Sequence, residues 1–72
     1  MSHLSVIIKQ LKERREMLKI TQETLADLSE VGLRTIKQLE RGKANPTFKT
    51  LHQIADVLGL EWVLQIKKPN SK

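Results

Sequence analysis

Residues 21–42, TQETLADLSEVGLRTIKQLERG, constrain the fold more than any other stretch of this chain. Two short apolar-periodic segments sit a few residues apart and close on a glycine, which predicts two amphipathic helices joined by a tight turn. Thr21 stands where an N-cap belongs: its hydroxyl is placed to take a free amide of the next turn, and Glu23 favours the same helix end. Leu25, Ala26 and Leu28 supply the inward stripe of this helix, up to about Ser29. After the turn a second helix runs from about Leu33 to Glu40, with Ile36 and Leu39 inward and Gly42 as its terminal glycine.

The flanking sequence supplies two more helices. Leu4, Ile7, Ile8, Leu11 and Leu18 recur near the 3.6-residue period, predicting a helix over 4–18. Arg14 and Arg15 fall late in it, where cations suit the macrodipole. Asn45-Pro46 breaks the chain, and Thr47 caps a last helix whose apolar face is Phe48, Leu51, Ile54, Ala55 and Leu58. Gly59 ends it. Trp62, Leu64 and Ile66 then alternate with Val63, Gln65 and Lys67, the period-2 pattern of a strand. A lone strand leaves both edges unpaired, and the same strand of a second copy is its simplest partner. A helical or extended tail that packs Trp62 into its own core explains the pattern equally well.

A chain of 72 residues reads as one domain, residues 1–60, followed by a strand and tail over 61–72. A domain of this size buries roughly 60% of the surface its unfolded chain exposes, so dimerisation is a natural source of extra stability. There is no cysteine to staple it or to ligate zinc, and that usage fits a reducing cytosol. The longest apolar runs, Val6-Ile7-Ile8 and Trp62-Val63-Leu64, are far too short to span a bilayer, and residues 1–10 lack a secretory leader. The expected location is the cytoplasm, at the nucleoid.

Net charge is +5, unevenly spread. Residues 1–20 carry +3 from Lys9, Lys12, Arg14, Arg15 and Lys19 against Glu13 and Glu16. Residues 21–30 carry −3 from Glu23, Asp27 and Glu30. Residues 31–43 return to +3 from Arg34, Lys37, Arg41 and Lys43 against Glu40. Such a balance favours a polyanion, and nucleic acid over membrane, because no basic helix faces an exposed apolar stripe.

A pair of helices that reads a DNA groove has geometric needs. A small residue lets the helices cross closely, and Ala26 supplies it; Leu25, Val31, Ile36 and Leu39 fill the angle between them. The outward positions of the second helix are then free for base edges. Taken together, TQETLA, TIKQLERGK and NPTFKTLHQIADVLG resemble the Xre/Cro-type helix-turn-helix family over roughly residues 4–60. That resemblance implies an all-α, lambda-repressor-like bundle of four or five helices that binds a double-stranded DNA operator as a homodimer.

By position in the family motif, the resemblance places Leu33, Arg34, Lys37 and Gln38 on the outer face of the second helix as base contacts. Arg suits guanine, Gln suits adenine, and Leu33 suits a thymine methyl. Gln22, Thr35, Arg41, Lys43 and Asn45 are implied DNA-backbone contacts. Gln22 also stands to brace the recognition helix, and Glu40 resembles the acidic residue that pairs with a first-helix arginine, Arg15 here. Two positions depart from the pattern. Glu30 stands in the turn where glycine is frequent, so the turn either absorbs a left-handed residue at about 1 kcal/mol or is built differently. Gly32 replaces the usual polar cap, with only a slight loss.

His3 and His52 have no second ligand at metal spacing, and no catalytic set is discernible, so neither an enzyme nor a cofactor or metal site is expected. The short chain and its ending LGLEWVLQIKK resemble the HipB-like antitoxins, which implies dimerisation through Trp62, Val63, Leu64 and Ile66 and a HipA-like kinase toxin as partner. The alternatives are a stand-alone phage-type or metabolic repressor, and an adaptor of the same fold that no longer binds DNA.

Overall fold

The computed structural model describes residues 3–64 and places four helices there: α1 (His3–Met17), α2 (Gln22–Ser29), α3 (Leu33–Glu40) and α4 (Phe48–Val57). All four arise where the apolar period placed them. Thr21 caps α2 by accepting the Thr24 amide at 3.0 Å, and Thr47 caps α4 by accepting the Thr50 amide at 3.2 Å. Each hydroxyl satisfies one of the amides that a helix start leaves free.

One core holds the bundle together. Ile8 and Leu11 of α1, Leu25 and Ala26 of α2, Ile36 and Leu39 of α3, and Leu51, Ile54 and Ala55 of α4 meet there with Val31 and Leu58. α2 packs on both α3 and α4, and α1 packs on α3. Ile36, with 0% of its surface exposed, lies at the centre.

Three residues of the expected apolar stripes lie outside, Leu18 among them: it is 41% exposed and falls beyond the end of α1 at Met17. Leu28 is 59% exposed, because the buried arc of α2 is Leu25, Ala26 and Ser29. At 100° per residue Leu28 stands about 110° from the middle of that arc. Phe48 is 63% exposed, since the first residue of α4 lies at the margin of the core. Its ring stacks on His52 at 6.0 Å and tilts against Trp62 at 5.1 Å.

The expected strand is not present among the described residues. Residues 61–64 have no regular structure, and Ile66 lies outside the described residues. A strand is defined by its ladder, and the described residues offer 61–64 no partner strand. Trp62 instead lies half-buried against the core, while Val63 and Leu64 are exposed. No helix among the described residues is long and apolar enough to cross a membrane.

Candidate nucleic-acid interface

The angle between α2 and α3 is set by a short, heavily bonded turn. Glu30 closes α2 in the left-handed region at φ +62°, ψ +24°, so the turn absorbs the strain of a side chain there. Ser29 is the staple. Its buried Oγ donates to the Leu25 carbonyl at 2.7 Å and accepts the Val31 amide at 3.3 Å. Gln53 of α4 donates to the Ser29 carbonyl at 3.3 Å, which ties the turn to the far helix. Gly32 then caps α3 without any side-chain bond, and α3 starts at Leu33.

With Ile36 and Leu39 buried, helical geometry fixes the rest of α3. Arg34 stands opposite the buried pair, with Lys37 and Gln38 on either side of it. Arg34 and Lys37 are exposed and Gln38 is half-exposed; Leu33 and Thr35, on the two flanks, are half-buried. Arg34, Lys37 and Arg41 follow one another at i, i+3 and i+7, a cationic ridge along the outer surface. Lys43 and Asn45 are exposed in the segment beyond Gly42, whose φ of +74° turns the chain away from α3.

The end of α3 is clamped from two directions. Arg15 of α1 donates to both carboxylate oxygens of Glu40, Nε to Oε2 at 2.7 Å and Nη2 to Oε1 at 3.0 Å. Its remaining arm, Nη1, donates to the Ile20 carbonyl at 2.7 Å. Gln22, the first residue of α2, donates from Nε2 to Glu40 Oε1 at 2.9 Å. One carboxylate therefore joins α1, the start of α2 and the end of α3. The Glu40 hydrogen bond raises the Arg15 pKa above its already high ordinary value, against the opposing effect of burial, so the guanidinium stays charged. Gln22, Lys37 and Arg41 come together around one open cleft of about 470 Å³ beside this clamp.

Arg14 has a role that its place in the sequence did not reveal. It donates from Nε to the Leu58 carbonyl at 2.8 Å, satisfying a carbonyl that the end of α4 leaves free. In sequence it is a last-turn cation like its neighbour Arg15, and nothing local separates the two.

This geometry defines a class: a small helical bundle that presents one braced, outward-facing helix of polar and basic side chains. The helix-turn-helix family model matches residues 11–64, and the chain belongs to that family, in its Xre-type form. It is 39% identical over 56 residues to an uncharacterized HTH-type transcriptional regulator of Methanothermobacter thermautotrophicus, covering 78% of this chain and 81% of the relative. It is 45% identical over 49 residues to the type II methyltransferase M.SsoII of Shigella sonnei, covering 64% of this chain but 13% of that protein.

Proposed function

We propose that this chain is a sequence-specific DNA-binding transcriptional repressor that works as a homodimer, with residues 1–60 reading the duplex and 61–72 joining the copies. The reading assigns it binding and no catalysis. The observation that carries it is the row Arg34, Lys37 and Gln38, turned outward on a helix whose end is held by Glu40. Arg34 offers a bidentate donor for guanine and Gln38 a donor–acceptor pair for adenine, with Leu33 beside them for a thymine methyl. Thr35, Gln22, Arg41, Lys43 and Asn45 then follow the backbone. Two paired copies read half-sites about one helical turn of DNA apart.

The test is titration of a fluorescent duplex from the chain's own promoter. Arg34→Ala and Gln38→Ala each lose about 1–3 kcal/mol of affinity, roughly 5- to 150-fold. Undiminished binding by both variants overturns the assignment of α3 as reader. The affinity of the unaltered protein falls steeply with salt, because neutralised phosphates release counterions; a flat response marks the non-DNA-binding adaptor instead.

Within that class the reading is an antitoxin and autorepressor of a HipBA-type operon, binding a HipA-like kinase toxin. Its support is the sequence resemblance of the C-terminal segment, together with Val63 and Leu64, which lie exposed beside Trp62. Co-purification with a kinase encoded next to it, and repression of their shared operon, support this narrower role. A chain that represses a separate operator and binds no kinase is a stand-alone phage-type or metabolic repressor.

A further inference from the structure

The DNA-backbone contacts named so far all belong to α2, α3 and the segment that follows α3. The cleft beside the Glu40 clamp brings in a fourth element. It is lined by Lys12 and Arg15 of α1, Gln22 of α2, Lys37 and Glu40 of α3, and Arg41. Four of these six residues are cations and one is an anion. The anion is already engaged, since Glu40 accepts two bonds from Arg15 and one from Gln22. Glu16 approaches Arg15 at 3.9 Å but does not line the cleft.

Lys12, Lys37 and Arg41 thus face one open volume of about 470 Å³, each exposed and none in an ion pair among the described residues. Three uncompensated like charges around a shared space repel one another, and an anion placed between them removes that repulsion. The start of α2 at Gln22 adds its positive helix end to the same side. The cleft is open, polar and lined by long flexible donors, which suits a phosphate oxygen that stays partly hydrated.

We infer that Lys12 of α1 completes a backbone subsite with Gln22 and Arg41, beside Lys37, holding one phosphodiester of the duplex next to the bases that α3 faces. The subsite makes α1 part of the DNA-contacting surface as well as a structural support. It rests on the DNA-binding reading, and it assigns Lys12 to affinity and register, with no part in sequence discrimination.

The experiment measures binding to a random-sequence 30-base-pair duplex over a series of salt concentrations, for the unaltered chain and for Lys12→Gln, Lys12→Arg and Lys49→Gln. Lys49 is an exposed cation that does not line this cleft, so its loss controls for net charge. Loss of one phosphate contact lowers the slope of log K against log salt by about 0.9. The expected result is that fall for Lys12→Gln, a slope retained by Lys12→Arg, and a smaller change for Lys49→Gln, with no variant lowering the melting temperature. An unaltered protein with a flat salt response removes the DNA-binding reading and the subsite with it. A steep slope that Lys12→Gln leaves intact, or lowers no more than Lys49→Gln does, overturns the subsite alone.

Discussion

Arg15 and Glu40, 25 residues apart in sequence, share two hydrogen bonds of 2.7 and 3.0 Å that join the first helix to the end of the third. Their side chains are only 12% and 8% exposed, so each charge depends on the other for solvation. Removing one partner strands the other. Arg15→Ala is therefore expected to cost about 3 kcal/mol in urea unfolding. The double change Arg15→Met with Glu40→Leu recovers most of that loss, because two apolar side chains leave no orphaned charge. Equal stability of Arg15→Ala and the unaltered protein contradicts the clamp. The raised Arg15 pKa stabilises the fold at every pH below the unfolded value and is lost only as pH rises through the folded one. Both lie far above neutrality, so Arg15 contributes no pH dependence between about pH 5 and 9.

Glu30 holds the turn at φ +62° with a side chain that this region disfavours by about 1 kcal/mol. Glycine relieves that strain but adds freedom to the unfolded chain, a partly offsetting loss. Glu30→Gly is expected to stabilise by roughly 0.5 kcal/mol, raising the melting temperature by about 2–4 °C. A lowered melting temperature contradicts this account of the turn.

The buried hydroxyl of Ser29 bridges the Leu25 carbonyl and the Val31 amide. Ser29→Ala leaves that amide without its side-chain partner and is expected to cost about 1–2 kcal/mol. Hydrogen exchange at Val31 should accelerate in the same variant, and unchanged exchange rules out the staple.

Ile36 lies at the centre of the bundle, on the opposite side of α3 from Arg34. Truncation there opens a cavity between α2 and α3. Ile36→Val is expected to cost about 1 kcal/mol and Ile36→Ala about 3–4, in denaturant or thermal unfolding. A cost under 1 kcal/mol for Ile36→Ala places the centre of the core elsewhere.

Local chemistry is where the sequence was most legible. Thr21 and Thr47 are caps because a hydroxyl needs only the amide three residues on. The inward positions Leu25, Ile36, Leu39 and Leu51 follow from period alone. Leu28 and Phe48 did not, since periodicity shows that an apolar stripe exists but not where its middle lies; one turn of helix shifts a residue from core to solvent. The alternation over 62–67 marks residues able to form a strand, while a ladder requires a second chain segment that no local pattern supplies.

Helix positions, caps and the terminal glycines were thus inherent in the order of residues, because their causes act within four or five positions along the chain. The partners of Arg14 and Arg15 lie far along the chain: the family resemblance anticipated the Arg15–Glu40 pair, and nothing in the sequence anticipated the bond of Arg14. Arg14 bonds the Leu58 carbonyl and Arg15 the Glu40 carboxylate, 44 and 25 residues away. Only packing brings those acceptors within reach, and the convergence of Lys12 with Lys37 and Arg41 has the same origin. Charges that the chain scatters over α1, α3 and the residue after α3 become one surface when the apolar backs of the helices share a core.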